Sequence, residues 1–341
     1  MKELYTTYAQ RFQTAKALAE KYGLPTEHMD KAISDISDFK VTVPFIGGFS
    51  TGKSSLINTL LGRELLSTEI TPETAVPTEL SYGTDSVIYC TENGETYGTA
   101  DELNTKTLSA NHVRLAKVTL DNAFLKEIPT VKLVDMPGFD SGFEVHNRAI
   151  DDYLPNSLAY IVTVSAEEGT IRNSVLNFLN ELKLSEMDVY FVITKSDKVM
   201  PDEVDELKEH IRDILENRQK LSNVKIAVTS AEDEEAEELE EMLLELQSRS
   251  DEIFQRTFSH KLCIQLADIR SYLIKRLSHK NTDVKNTSVD CISICSVLWH
   301  SMRMMTRRTS FALLSGSWQP ARRACPLRSI SSVPWRSMRT R

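Results

Sequence analysis

The chain has 341 residues, of which 41% are hydrophobic and 26% charged, with a formal net charge of −9. Such a length buries one large core with room for a second, smaller element, and the acidic balance argues against broad nonspecific nucleic-acid binding. No apolar run approaches the ~18 residues that a membrane-spanning helix needs, and five cysteines without a Cys-x-x-Cys pair argue against a disulfide framework or a structural zinc site.

The opening segment MKELYTTYAQRF has no charged-then-apolar leader and no cleavage site, so a soluble, cytoplasmic chain is expected. Leu4, Tyr8, Phe12, Ala15, Ala19 and Tyr22 recur at three- and four-residue steps and predict an amphipathic helix that Gly23-Leu24-Pro25 ends. Thr26 then caps a shorter helix carrying Met29, Ala32, Ile33 and Ile36.

The apolar run VTVPFI predicts a strand that feeds IGGFSTGKSS, residues 46–55, ahead of the helical SLINTLLG. Gly47, Gly52, Lys53 and Ser54 occupy the fixed positions of G-x-x-x-x-G-K-S in its proper strand-to-helix context. The loop from Gly47 through Gly48, Phe49, Thr51 and Gly52 to Ser54 and Ser55 is therefore a candidate phosphate cradle. Glycines let backbone N–H groups wrap the phosphates, a helix N-terminus favours the anion, Lys53 reaches the β and γ phosphates and Ser54 can ligate Mg²⁺.

Further along, Thr91-Glu92-Asn93-Gly94-Glu95-Thr96 carries an Asn-Gly hairpin signal and predicts a local antiparallel addition. Val131-Lys132-Leu133-Val134 reads as a buried strand running into Asp135-Met136-Pro137-Gly138, a D-x-x-G element. At a strand tip downstream of a phosphate loop, such an aspartate holds Mg²⁺ through water and the glycine N–H meets the γ-phosphate. A strand at Ala159 to Val164 and a helix from Ile171 to Leu182 follow.

The strand Asp188 to Ile193 ends in Thr194-Lys195-Ser196-Asp197. A carboxylate accepts from guanine N1–H and N2–H₂, a donor pair adenine lacks, so Asp197 points to GTP, with the Lys195 stem lying along the base. A helix from Asp205 to Leu215 leads to the strand Lys225 to Val228, which ends in Thr229-Ser230-Ala231, where a backbone N–H suits guanine O6. Strands alternating with helices predict an α/β fold, mostly a parallel sheet flanked by helices, with ligand loops at the strands' carboxyl ends.

The acidic stretch Glu232 to Glu238 precedes Leu239, Met242, Leu243 and Leu246 and is expected to form the first turns of a helix, where carboxylates suit the dipole. Ile253, Phe254, Phe258, Leu262, Leu266, Ile269, Leu273 and Leu277 form one stripe on a helix over about residues 250–280. Left unpartnered, that stripe would promote self-association. Residues 286–341 differ abruptly: nine Arg against Asp290 give +8, leaving −17 for the rest, with no Lys and all three Trp. Arg- and Ser-rich usage without periodicity is what an out-of-frame reading yields, so this basic segment is expected to be disordered; a cationic arm is the alternative.

Taken together, G-G-F-S-T-G-K-S-S-L-I-N-x-L-L-G, Thr74 with Pro77 shortly after, D-M-P-G and T-K-S-D resemble the dynamin superfamily, especially its bacterial members. The resemblance covers about residues 1–285 and implies a P-loop GTPase fold with an adjoining helical neck. It divides the chain into N-terminal neck helices (1–37), a GTPase domain (38–247), a post-GTPase neck helix (248–285) and the basic segment. The implied activity is hydrolysis of GTP to GDP and phosphate, which relatives couple to membrane remodelling. Thr74 becomes the switch threonine that closes on Mg²⁺, with Thr71 and Thr78 as competitors.

Phe139 follows Gly138 where many small GTPases carry a water-orienting glutamine. The resemblance implies that Ser50 helps place the water and that K⁺ or Na⁺ near the β–γ bridge supplies charge. It also implies a homodimer through the GTPase domain and peripheral membrane association in full-length relatives. The rivals are a ribosome-associated GTPase, for which residues 1–285 offer no basic RNA-binding appendage, and a nucleotide-gated interaction module with little turnover.

Overall fold

In the computed structural model, residues 2–68, 76–104, 113–138, 153, 157–182, 188–221 and 224–278 are described. The basic segment 286–341 and its expected disorder lie outside them.

Nine strands form one sheet: β1 (Val41–Gly47), β2 (Thr78–Tyr82), β3 (Ser86–Thr91), β4 (Gly94–Gly98), β5 (Val113–Leu120), β6 (Val131–Asp135), β7 (Ala159–Ser165), β8 (Asp188–Thr194) and β9 (Ile226–Val228). Their order is β4-β3-β5-β2-β6-β1-β7-β8-β9. The run from β6 through β1, β7 and β8 to β9 is parallel throughout, and β2 joins it antiparallel to β6. β1 and β7 are buried at every residue, as strands covered on both faces must be. The predicted hairpin is present: β3 and β4 pair from Val87↔Gly98 to Thr91↔Gly94, and Gly94 turns the chain at φ 121.

Eight helices accompany the sheet among the described residues: α1 (Lys2–Lys21), α2 (Glu27–Ser37), α3 (Lys53–Leu61), α4 (Ala123–Glu127), α5 (Asn173–Leu182), α6 (Pro201–Asp213), α7 (Glu237–Ser248) and α8 (Ser250–Ser278). Ile46, Val162, Phe191 and Ile193 of the sheet form one core with Val175 and Leu179 of α5 and Leu207 and Ile211 of α6. α6 begins four residues earlier than expected because Pro201 pre-sets the first turn and Glu203 accepts from the Met200 N–H at 3.0 Å. No helix among the described residues is long and apolar enough to cross a membrane.

The acidic stretch departs from expectation. Glu232–Glu235 form a tight turn closed by paired hydrogen bonds between the backbones of Ser230 and Glu235, with Glu234 at φ 59, and the helix starts only at Glu237. The carboxylates of Glu237, Glu238 and Glu240 do stand in its first turn.

Two compact units divide the chain: residues 1–11 with 30–257, and residues 12–29 with the chain from Phe258 onward. In the first, Phe254 of α8 is fully buried and stacks on Tyr5 at 4.2 Å, with Tyr8 and Phe39 meeting it edge-on at 5.4 and 5.0 Å. Asp188, the first residue of β8, grips Arg249 and Arg256 at 3.0 Å each, one through each carboxylate oxygen. In the second unit, Phe12, Ala15, Ala19, Phe258, Leu262, Leu266, Ile269 and Leu273 are buried, and Phe12 meets Phe258 edge-on at 6.3 Å. The α8 stripe is thus partnered as far as Leu273, which removes the reason for expecting self-association through it; the Leu277 side chain lies outside the described residues.

Asn58 of α3 is 7% exposed and spends its amide on the loop beyond the helix: Nδ2 donates to Leu66 O at 2.8 Å, and Oδ1 accepts from the Leu65 and Leu66 N–H groups at 3.0 and 2.9 Å. Replacing it by Ala orphans three backbone groups, and Asn58→Ala is expected to lower stability by about 3 kcal/mol in a urea titration.

Candidate functional site

The loop leaving β1 is shaped by what lies behind it. A Cβ on Gly47 would stand 2.2 Å from Thr163 Oγ1 and 2.6 Å from the Thr163 carbonyl, so only glycine fits. Thr163, on β7, holds the loop from beneath, with its hydroxyl 3.2 Å from Ile46 O and 2.8 Å from Thr51 Oγ1. Thr51 is buried and also donates to Gly48 O at 3.1 Å. Ser50 and Gly52 are left-handed, at φ 66 and 80, and the second turns the chain into α3. Gly138 packs on this loop, where a Cβ would lie 2.7 Å from Phe49 Cα and 3.0 Å from Gly48 O. Such a loop directs unpaired backbone N–H groups at the head of α3 toward one point, which favours an anion.

Lys53, in the first turn of α3, is 6% exposed and donates to Gly48 O at 3.0 Å. Burial pushes its ammonium down to about 8, against the opposing pull of Asp135. Asp135 ends β6; its Oδ2 accepts from Ser54 Oγ at 2.7 Å, while buried Oδ1 has no hydrogen-bond partner. Burial also lifts this carboxyl above its ordinary range, with Ser54 and Lys53 opposing. An orphaned carboxylate oxygen beside a serine hydroxyl is the oxygen set that Mg²⁺ and its waters would satisfy. The residues fit the ion.

At the other end of the cleft, Thr194 closes β8 and donates to Thr51 O at 2.6 Å, tying the T-K-S-D turn to the phosphate loop. Lys195 is left-handed at φ 59, and its Nζ donates to Glu167 at 2.6 Å. Asp197 Oδ1 lies 3.0 Å from Ser230 Oγ and its Oδ2 2.8 Å from the Lys198 ammonium, which is the main reason its carboxyl sits below the usual range. The Ser230 hydroxyl is also 2.9 Å from Asp233, and its single proton can serve only one carboxylate at a time. Gly52, Ser55, Lys195, Asp197 and Ala231 line this cleft together.

All the predicted site residues but one therefore converge at the carboxyl ends of β1, β6, β8 and β9. The exception, Thr74, lies outside the described residues, as does its competitor Thr71. Thr78 opens β2 opposite Asp135, and its hydroxyl donates to Val76 O at 3.1 Å. Sequence reasoning missed Thr163, Glu167 and Lys198, and also Arg172, which donates to Glu168 at 2.9 and 2.6 Å and lies where a Gly48 Cβ would stand; they sit between motifs and acquire meaning only from the neighbours the fold gives them.

A mostly parallel sheet with a phosphate loop leaving an interior strand and a T-K-x-D turn two strands away is the P-loop GTPase fold. Within that class, residues 43–197 match the Dynamin family. It is similar to Dynamin-like protein 2 of Campylobacter jejuni (29% identical over 212 residues, 59% of this chain and 33% of that one) and Dynamin-like protein A of Bacillus subtilis (28% over 170 residues, 48% and 14%). An uncharacterised Caldicellulosiruptor protein is 26% identical over 205 residues, 54% of this chain and 48% of that one. The chain thus spans less than half the length of each of these relatives. Among solved structures, an oligomerised bacterial dynamin pair, described as a mechanism for long-range sensing and tethering of membranes, superimposes with a TM-score of 0.51 at 17% identity, over 81% of this chain and 57% of that one.

The Lys53 shift has a pH signature. Its folded value lies below the unfolded one, so between about 8 and 10.5 the unfolded chain holds a proton the folded chain has released, and stability gains from this group as pH rises through that window. A bound phosphate restores the proton. Nucleotide binding is expected to take up a proton at a pH of about 9 but not about 7, read by calorimetry in buffers of different ionisation enthalpy.

Proposed function

We propose that the chain binds GTP with Mg²⁺ and hydrolyses it to GDP and phosphate. The observation that carries this reading is the 2.6 Å bond from Thr194 to Thr51 O, which joins the base-reading turn and the phosphate loop into one cleft. In this reading Gly47, Gly48, Phe49, Thr51 and Gly52 present N–H groups to the phosphates, and Lys53 swings from Gly48 O to the β and γ phosphates. Ser54 would ligate Mg²⁺ and Asp135 would hold it through water, and the role of switch threonine falls to Thr74. The ion would neutralise charge on the phosphate oxygens. Asp197 accepts from guanine, Lys195 covers the base, and Ser230 and Ala231 face O6.

Water attacks the γ-phosphorus, the bond to the bridging oxygen breaks, and GDP leaves. Ser50 helps to hold that water, and Gly138 meets the γ-phosphate. The match to the Dynamin family supports further steps: self-association through the GTPase domain, a peripheral place at membranes, and use of the α1, α2 and α8 helices as a neck that follows nucleotide state. Each rests on what dynamin-like relatives are built to do.

Turnover of GTP per molecule is expected to rise with protein concentration, with ATP inert under the same conditions. A flat rate would remove the dimer from this reading, and stoichiometric GTP binding without repeated turnover would make the chain a nucleotide-gated module. Lys53→Ala is expected to abolish tight triphosphate binding, and Asp197→Asn to erode the preference for guanine; unchanged binding in either breaks that assignment.

Ser50 gives a separable prediction. Ser50→Gly relieves a left-handed non-glycine residue, a strain of about 1 kcal/mol or more, while removing the hydroxyl. Melting temperature is expected to hold or rise as turnover falls; unchanged turnover would exclude the hydroxyl from catalysis.

A further inference from the structure

The turn that follows β7, Ala166–Glu168, stands at the middle of the cleft's floor: β7 lies between β1, which carries the phosphate loop, and β8, which carries the T-K-S-D turn. A side chain leaving the carboxyl end of β7 can reach either part, and two adjacent glutamates divide the task. Glu168 turns to the phosphate side, where it accepts from Arg172 Nε at 2.9 Å and Nη2 at 2.6 Å, a two-bonded fork beside Gly48. Gly169, left-handed at φ 65, closes the turn with its N–H 3.3 Å from Ala166 O. Glu167 is thus carried on backbone fixed by the strand before it and the fork after it. It turns to the base side, lines the cleft with Lys195, Asp197 and Lys198, and accepts from Lys195 Nζ at 2.6 Å. Lys195 itself is left-handed at φ 59, a strained conformation for a residue with a side chain, of the kind that collects where a ligand is held.

We propose that Glu167 is a positioning residue for guanine binding: it holds the Lys195 ammonium so that the lysine stem already lies along the face the base will occupy. The inference rests on the GTP reading above. A lysine stem is flexible, and ordering it at the moment of binding costs affinity; a partner that orders it beforehand removes that cost. The pair does little for the fold, because Lys195 and Glu167 are 32% and 49% exposed and an ion pair that open to water contributes little to stability. Its place is better explained by the ligand. A carboxylate repels phosphates, so a glutamate lining a cleft that takes a triphosphate lowers affinity unless it acts through a cation. Lys195 is that cation; Lys198, the other one at this end, is engaged by Asp197 at 2.8 Å.

The test measures GDP affinity by calorimetry for the unaltered chain, Glu167→Ala, Lys195→Met and the double variant; methionine keeps an apolar stem for the base and drops the ammonium. Glu167→Ala is expected to weaken GDP binding about fivefold, the cost of one loosened side chain, even though it removes a negative charge from beside a polyanion. In the Lys195→Met background the same substitution should cost nothing or tighten binding, because no ammonium is left to place. Equal weakening in both backgrounds makes Glu167 a structural residue and overturns the proposal. Unchanged or tighter binding by Glu167→Ala alone leaves only charge repulsion and overturns it too. So does a Lys195→Met chain that binds no GDP, since the ammonium would then grip the nucleotide itself. Glu167→Gln keeps an acceptor for the ammonium and is expected to fall between the unaltered chain and Glu167→Ala; it takes the place of alanine in the comparison should that variant fail to fold. An unaltered chain that binds no guanine nucleotide overturns the GTP reading and this inference with it, and that result appears before any substitution is made.

Discussion

A buried ammonium dictates the arrangement around it. Lys53 sits where the sheet's carboxyl edge meets the head of α3, and burial makes its positive charge costly to hold. Three features relieve that cost: the Gly48 carbonyl at 3.0 Å, the field of Asp135, and the acidic half of the Glu168–Arg172 pair. The cleft is in this sense primed. It contains a cation whose present partners are weaker than a phosphate, held by a loop whose own shape is fixed by Thr163 and Thr51 from beneath. A phosphate would then exchange a costly buried charge for a well-paired one, with little to reorganise.

How much of this was legible beforehand varies with the range of the interaction. β1, β6, β7, β8 and β9 fall within a residue or so of their apolar runs, because strands buried on both faces read as continuous hydrophobic stretches. The phosphate loop and the T-K-S-D turn were legible because their chemistry demands fixed local spacing. The acidic stretch misled, since seven residues with five glutamates suggest a helix start, whereas Ser230 and Glu235 close a turn first. Thr163 and Arg172 left no trace in the sequence. One is a threonine inside an apolar strand and the other an arginine on an exposed-looking turn, and only the close approach of Gly47 and Gly48 gives them a place.

The helices outside the sheet were legible as amphipathic segments, yet their partners were not. A stripe of Ile253, Phe254, Phe258 and Leu262 announces a buried face without saying what buries it. The answer near the sheet is aromatic: Tyr5, Tyr8 and Phe39 surround Phe254, so a residue four places from the start of α8 is fixed by three residues from the first forty of the chain. Such closure between distant segments is invisible to any local pattern.

β8 carries a different consequence. Its first residue, Asp188, anchors Arg249 and Arg256 at the entrance to α8, and its last, Thr194, hands the chain to Lys195 and Asp197. From one to the other the strand has seven residues, about 20 Å of extended chain, bonded to β7 along its whole length and to β9 over Phe191, Val192 and Ile193. A strand bonded throughout along one edge and over three residues along the other neither stretches nor bends at small loads. The turn that faces the cleft and the carboxylate that grips α8 are therefore opposite ends of one stiff rod, and a push at either is felt at the other without any side chain between them having to move.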